Sequence, residues 1–316
     1  MVNNDGAPPS AGPGVDLSVC IPAYNDVSSF SRALDSVLAQ SGVHLECIVS
    51  DDSDTDSIER LVESKNDARI RYVRHTPALG VPQNWNAALR DAAGAIVTLL
   101  HQDDWYRSPA VFSDVKRAMD EEGADVLLCG RAFYADGACL GEYDNIAPLL
   151  ETFVGDFPGR TLVVNRVGHP SVFFFRNKLK TVQYDEKIRY FVDTEYYMRL
   201  LSAAEKCVAL ARAHVALDRG GRLSAACLSD PGAMMEELLY VLKKYNAGAL
   251  DRGAAASRFL ASHMRHWLRQ GPGAFFSLLG PLGWAERAVA AGVFPVFCVH
   301  MVYRMLYKRV CAKPWG

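Results

Sequence analysis

Short apolar runs and amphipathic stretches alternate along the first half of the chain. The apolar runs, rich in β-branched residues, predict strands at LSVCIP, LECIVS, RIRYVRH, AIVTLLH and ADVLLCGRAFY. The stretches between them carry apolar residues at helical spacing and predict helices at SFSRALDSVLAQ, DTDSIERLVES, PQNWNAALRDA and SPAVFSDVKRAMDEE. Strands and helices that alternate in this way predict βαβ units, and therefore an α/β fold with a mainly parallel central sheet flanked by helices.

The alternation weakens after residue 134. Further strands are predicted at SVFFFR and CVALARAHVAL, a helix at DTEYYMRLLSAAE, and two later helices at PGAMMEELLYVLKKYNAG and AASRFLASHMRHWLRQ. We therefore expect a flexible leader over 1–16, an α/β domain over 17–228 and a helical C-terminal region over 229–316. The leader is rich in Gly and Pro and lacks the apolar core of a signal peptide, which indicates a cytoplasmic protein.

The net charge and the cysteines limit which binding partners and which cellular compartment are expected. The 316 residues carry a formal net charge of −2, so no global attraction to nucleic acid is expected. The eight cysteines form no C-x-x-C pair, which is typical of small core side chains in a reducing compartment.

Polar side chains follow three of the predicted strands. The first strand runs into 22–26, the second into 51–56 and the fourth into 101–104, and each of these ends contains aspartate. Because the carboxyl ends of parallel strands meet at one edge of a sheet, where ligands bind in open α/β folds, we expect a polar site there.

Two of these ends contain adjacent acids that helix capping does not explain. Asp54–Asp56 suit the start of the following helix, whereas Asp51 and Asp52 precede it and could accept hydrogen bonds from a base or a ribose. In the third end, Ser108 already supplies a cap, so Asp103 and Asp104 are free either to lie in a solvated turn or to bind Mg²⁺ or Mn²⁺.

Asp193 has two readings. It could simply open the helix DTEYYMRLL, with Arg199 paired to Glu195 one turn away. Alternatively, it could face the cleft as a general base.

Six motifs in order resemble the family 2 glycosyltransferases of the GT-A fold. They are LSVCIPAYND, SVLAQ, LECIVSDDSDTD, ALGVPQNWNAALRDAAGAIVTLLHQDD, GHPSVFFFR and DTEYYMRLL. The HQDD segment is similar to a bacterial polysaccharide and lipopolysaccharide subgroup in which His101 replaces the first acid of the usual metal-binding motif. The resemblance implies an inverting, divalent-metal-dependent enzyme that transfers a sugar from a nucleoside-diphosphate sugar to a hydroxyl of a glycan or lipid-linked acceptor.

The resemblance also implies roles for particular residues. Asp193 would be the catalytic base, Asp104 the direct ligand of Mn²⁺ or Mg²⁺, and Asp103 a contact to the ribose or the metal. His169 and Arg222 would contact the acceptor or the diphosphate. The residues implied to bind the nucleotide sugar are Pro22, Ala23, Tyr24, Asp51, Asp52, Asn86, Gln102 and Asp103.

The segment 271–316 is unusually apolar. Its longest uncharged run, 288–303, has 16 residues, fewer than the about 20 that a spanning helix needs, and basic residues follow it. It predicts a peripheral anchor on the inner face of the membrane, a buried closing helix or a homodimer contact.

Two rival functions remain open at this point. A sugar nucleotidyltransferase would need a glycine-rich basic loop after the first strand, where this chain has AYNDVSSF. A non-catalytic nucleotide-sugar-binding partner of a glycan assembly complex would not need Asp193.

Overall fold

A computed structural model describes residues 14–144, 167–218 and 231–246, together with positions 147, 165, 252 and 255. The chain divides into two compact units. The described part of the first unit is 14–144, 147 and 167–218, and the described part of the second is 165, 231–246, 252 and 255. The predicted boundary between 228 and 229 and the segment 271–316 lie outside the described residues, as does the predicted leader up to residue 13.

The regular structure of the described residues includes nine strands, six α-helices and two short 3₁₀ helices, Pro170–Val172 and Asn177–Thr181. The strands are β1 (Leu17–Ala23), β2 (Leu45–Asp51), β3 (Ile70–Arg74), β4 (Ile96–Leu99), β5 (Trp105–Tyr106), β6 (Val126–Ala135), β7 (Ala138–Tyr143), β8 (Phe173–Arg176) and β9 (Cys207–Asp218). The helices are α1 (Val27–Leu38), α2 (Ser57–Lys65), α3 (Gln83–Asp91), α4 (Val111–Glu122), α5 (Val192–Ala203) and α6 (Pro231–Lys244). None of these helices is long and apolar enough to cross a membrane.

The strands form one mixed sheet in the order β3-β2-β1-β4-β8-β6-β9-β5, with β7 paired to β6. The pairs among β1, β2, β3 and β4 are parallel, as is β6 with β9. Strand β8 is antiparallel to both of its neighbours, β4 and β6. The α/β class is confirmed, but the second half of the sheet is more antiparallel than predicted, because a short apolar run such as β8 carries no signal of its direction.

Helix α1 shows how the local sequence builds this fold. The Asp26 carboxylate accepts a hydrogen bond from the Ser29 amide and so caps the first turn. Phe30, Leu34 and Val37 follow at helical spacing and are all buried. The first strand therefore ends at a capped helix, and the loop between them stays at the edge of the sheet.

The predicted elements from 17 to 217 are all present, with ends that differ by a few residues. Two strands were not predicted. β5 has only two residues, and β7 forms a hairpin with β6 although its side chains are mostly exposed and show no alternation. The predicted helix at 255–270 lies outside the described residues, apart from Ala255.

Candidate active site

The ends of β1 and β4 are joined by one side chain. The Tyr24 amide donates to the Gln102 Oε1 atom at 2.7 Å, and Gln102 Nε2 donates back to the Tyr24 carbonyl at 3.0 Å. Pro22 and Ala23 are buried in β1, whereas the Tyr24 side chain is 53% exposed. The amide of Gln102 is thus used to hold the β1 end, and it leaves the Tyr24 ring open at the edge of the sheet.

The two acids at the end of β2 hold backbone and neighbouring side chains in place. Asp51 accepts hydrogen bonds from the Tyr72 hydroxyl at 2.7 Å and the Ser53 amide at 2.8 Å. Asp52 accepts from the amides of Leu79 and Gly80 at 3.0 and 2.7 Å. Both carboxylates are buried, so Asp52 fixes the loop before α3 at the same edge as Tyr24.

Asn86 joins α3 to the backbone of Tyr184. Its Nδ2 atom donates to the Tyr184 carbonyl at 2.9 Å, and its Oδ1 atom accepts from the Tyr184 amide at 2.7 Å. The side chain is 1% exposed. The amide therefore fastens α3 to the chain that leads into α5, and the implied contact of Asn86 with a nucleotide sugar stays a prediction.

Asp104 is fully buried and surrounded by hydrogen-bond donors. The His169 Nδ1 atom lies 2.9 Å from Oδ2, and the Ser171 hydroxyl donates to the same oxygen at 2.6 Å. The Asp218 amide donates to Oδ1 at 3.2 Å. These contacts come from two separate segments, 169–171 and the end of β9, so the carboxylate of Asp104 joins them at the centre of the site.

The two adjacent acids titrate in opposite directions. Burial alone would raise the pKa of Asp104, but the charge and hydrogen bond of His169, with help from His101 and Ser171, outweigh it and lower that pKa. Burial and the charge of Asp104 raise the pKa of Asp103 to about 6. The repulsion between the two adjacent carboxylates therefore raises the pKa of Asp103 rather than that of Asp104.

His169 is directed at Asp104 by the glycine before it. Gly168 has φ +107°, a backbone conformation that residues with a side chain rarely adopt, and a Cβ atom there would lie 2.9 Å from Leu217 Cδ1, so another residue would be strained at this position. The Tyr197 hydroxyl donates to the Gly168 carbonyl at 2.9 Å. Burial disfavours a charged His169, yet the adjacent Asp104 raises the pKa of His169 to about 9. The imidazolium thus supplies a cation to the acid pair.

Four side chains could hold a metal ion. His101, Asp103, Asp104 and His169 each offer one ligand atom, and these atoms all lie within 4.8 Å of one another. The Nε2 atom of His101 is buried and has no hydrogen-bond partner within the described ranges, and burial beside His169 lowers the pKa of His101 to about 3. A neutral imidazole and a carboxylate are ordinary ligands for a divalent transition metal, so the residues fit such an ion.

Asp193 lies in the first turn of α5, near the same cluster. Its Oδ1 atom is buried and makes no hydrogen bond in the part of the chain that the structure describes. Burial raises the pKa of Asp193 to about 7, with the charges of His169 and Asp104 acting on it in opposite directions. The other acid of this turn, Glu195, is held by Arg199 through bonds of 2.8 and 2.7 Å. Asp193 is therefore the acid of α5 that is available for proton transfer.

The structure brings most of the expected residues together and adds others. Asp103, Asp104, His169 and Asp193 share one region, whereas Arg222 lies outside the described residues. Sequence reasoning missed Ser171, whose hydroxyl donates to Asp104 and accepts from the His101 amide at 3.0 Å. It lies in the GHPSVFFFR motif two residues after His169, in a 3₁₀ turn before β8, and a hydroxyl so close to a candidate site residue was the available signal.

Comparison with curated proteins finds relatives that match part of this chain and part of their own length. An uncharacterized Mycobacterium tuberculosis protein is 26% identical over 60% of this chain and 63% of its own length. A Campylobacter jejuni GalNAc(5)-diNAcBac-PP-undecaprenol beta-1,3-glucosyltransferase is 34% identical over 32% of this chain and 34% of its own length. The chain thus spans less than two thirds of each of these relatives.

Solved structures share the fold at low identity. Staphylococcus aureus TarS in complex with UDP-GlcNAc matches with TM-score 0.61 at 15% identity, over 96% of this chain and 93% of that one. The mannosyltransferase PcManGT of Pyrobaculum calidifontis, in complex with GDP-Man and Mn²⁺, matches with TM-score 0.54 at 15% identity, over 93% and 86%. The GT-A fold is therefore confirmed. The glycosyl transferase family 2 model matches residues 18–179, about half of the chain, and the chain belongs to that family of glycosyltransferases.

Proposed function

We propose that this enzyme transfers a sugar, with inversion, from a nucleoside-diphosphate sugar to a hydroxyl of a glycan or lipid-linked acceptor, and that a divalent metal assists. The observation that carries the proposal is the position of Asp193. It is a carboxylate without a hydrogen-bond partner on Oδ1 among the described residues, beside a His–Asp cluster that fits a metal. An unoccupied proton acceptor next to an anion-stabilising centre is what direct displacement at a sugar carbon needs.

The donor would lie along the edge formed by the ends of β1, β2 and β4. The exposed Tyr24 ring offers a stacking surface for the base, and Gln102 keeps its backbone in place. Asp52 holds the 79–80 backbone at the same edge and retains oxygen lone pairs for a base or ribose. The floor of this site would be formed by the buried strand ends that contain Pro22, Ala23 and Asp51.

The metal would be held by Asp103, with Asp104, His101 and His169 within reach. A bound divalent ion supplies Lewis-acid stabilisation for the charge that develops on the leaving diphosphate. Because Mg²⁺ prefers oxygen ligands and this set includes the neutral imidazole of His101, we propose Mn²⁺ as the better ion. Both oxygens of Asp104 are engaged by neighbouring groups, so we assign the closer contact to Asp103.

Asp193 would accept the proton of the acceptor hydroxyl as that oxygen attacks the anomeric carbon. A carboxylate with a pKa of about 7 is well matched to this task near neutral pH. Only one carboxylate of α5 is available, since Arg199 holds Glu195. A single base and no second carboxylate nucleophile on this helix support inversion over a covalent intermediate.

The acceptor class is inferred from relatives. Two of them, from Campylobacter jejuni and Escherichia coli, are named as beta-1,3-glucosyltransferases that act on diphosphoundecaprenol-linked substrates. We propose a related role in cell-surface polysaccharide synthesis for this enzyme, at the cytoplasmic face of the membrane. The basic and apolar segment 271–316 would then provide peripheral contact with an anionic surface.

The test is a thermal-shift screen of nucleotide sugars with and without Mn²⁺, followed by a transfer assay on each donor that stabilises the protein. We expect stabilisation that needs Mn²⁺ and a product whose anomeric configuration is opposite to that of the donor, read by NMR. Binding without any transfer or hydrolysis would favour the non-catalytic partner. A retained configuration would overturn inversion.

A further inference from the structure

One guanidinium joins the acid pair to a distant helix and to the end of the last strand. Arg32, in α1, donates through Nη2 to the Asp103 carbonyl at 3.1 Å and to Asp218 Oδ2 at 3.0 Å. These partners are 71 and 186 residues away along the chain. Arg32 therefore crosslinks three elements that are far apart in sequence.

The aromatic residue after the acid pair lies against the same guanidinium. The Arg32 Cζ atom is 4.0 Å from the centroid of the Trp105 ring, and Trp105 in turn packs against Tyr134 at 4.8 Å between ring centroids. Arginine stacks on an aromatic face and donates in the plane of its fork at the same time. Lysine has one point charge and no planar fork, so it would keep the ion pair but not this combination.

Arg32 also reaches Asp104, through Asp218. The Asp218 side chain accepts from Arg32, and the Asp218 amide donates to Asp104 Oδ1 at 3.2 Å. Residues 100–104, which carry both acids, contain no helix or strand. Apart from one backbone bond to β1 and one within the segment, side chains of other elements hold this backbone in position.

We propose that Arg32 is a positioning residue that sets the acid pair for metal and donor binding. Arg32 acts on Asp103 through the Asp103 carbonyl and on Asp104 through Asp218. It contacts neither of the two carboxylates directly. The inference rests on the proposed function in one respect, namely that Asp103 and Asp104 bind a divalent metal. A lone surface ion pair would have little effect, but here one side chain of α1 contacts the acid segment, β9 and Trp105.

The experiment compares the full-length protein with its R32M and R32K variants, and with R60M as the matched control. Arg60 is also a helical arginine paired to an aspartate, Asp56, but this pair is exposed and has no contact with the acid segment among those that the structure describes. Mn²⁺ alone is the probe, titrated by calorimetry well below the melting temperature of each variant. Hydrogen exchange of the peptide over 100–106 is measured on the same samples.

We expect R32M to weaken Mn²⁺ binding by about 10–100-fold, the range for residues that orient metal ligands. We expect R32K to fall between R32M and the unmodified protein, and R60M to bind Mn²⁺ normally. Exchange over 100–106 should rise in R32M while exchange in β1 and β2 stays unchanged.

Three results distinguish a positioning role of Arg32 from a purely structural role and test whether the protein binds Mn²⁺. Unchanged Mn²⁺ affinity together with unchanged exchange over 100–106 overturns the positioning role. A general rise in exchange with a lower melting temperature and normal Mn²⁺ affinity also overturns it, in favour of a purely structural role. If the unmodified protein binds no Mn²⁺, the metal part of the proposed function fails. Local exchange over 100–106 then decides the role of Arg32 by itself.

Discussion

The end of β4 and the start of α5 each present a half-buried or buried aspartate to the same site, yet the two are built in opposite ways. At the end of β4, Asp104 is surrounded by donors from His169, Ser171 and Asp218, and its pKa is lowered. At the start of α5, Asp193 keeps an unpartnered buried oxygen within the described residues, and burial raises its pKa to about 7.

The difference shows how one residue type serves two tasks. A carboxylate that accepts several hydrogen bonds stays ionised and rigid, which suits the anchoring of a segment or a cation. A carboxylate that lacks donors holds its proton more strongly and suits proton transfer near neutral pH. The polar neighbours of each acid thus decide which task it suits. A single substitution at each acid tests each task separately.

Replacing Asp193 should have the largest effect on activity. We expect Asp193→Asn to lower kcat by about 10²–10⁴-fold, because the amide cannot accept the acceptor proton. Donor binding, measured by thermal shift with Mn²⁺ and the donor identified in the screen, should be retained. Normal turnover in this variant would show that the unpartnered oxygen of α5 is not the base.

Replacing Asp104 should instead act on stability. We expect Asp104→Asn to cost about 3–5 kcal/mol in the free energy of unfolding, because it removes the buried carboxylate that pairs with the half-buried His169 and accepts from Ser171. Denaturant unfolding of the variant measures this cost. The control is Asp56→Asn, at an exposed ion pair, which should leave the unfolding midpoint almost unchanged. Equal effects in the two variants would contradict the anchoring role of Asp104.

Asn86 gives a smaller test of the same distinction between anchoring and catalysis. We expect Asn86→Ala to cost about 1–3 kcal/mol in the free energy of unfolding, because the Tyr184 backbone loses both of its partners. The Michaelis constant for the donor should remain that of the unmodified enzyme. A large rise in that constant without loss of stability would instead support the donor-binding role that the sequence implied for Asn86.

The pH profile should show the smallest change. Asp193 must be deprotonated to act as a base, so kcat/KM should fall by about tenfold per pH unit below its pKa of about 7 and level off above it. His169 and Asp104 are the charged neighbours that influence this value. Saturating Mn²⁺ is needed in the assay, since metal binding also weakens in acid. A flat profile between pH 6 and 8 would contradict the raised pKa.

Much of the fold was predictable because its signals are local. Apolar periodicity and the Asp26 cap define α1, and the alternation up to residue 134 predicts the βαβ units that the structure contains. Strand direction in the second half was not predictable, since β8 is a four-residue apolar run that pairs antiparallel on both sides. Strand β7 has mostly exposed side chains and carries no periodic pattern.

The sequence by itself determined the family, the alternation of elements and the set of acids at the strand ends. Each of these depends on residue types at short separations or on ordered motifs. Only the tertiary structure decided which acids are anchored and which is free, because Ser171, Asp218 and Arg32 reach the acid segment from 67 to 114 residues away. A carboxylate's pKa depends on burial and on such partners in space, and neither can be read from its neighbours along the chain.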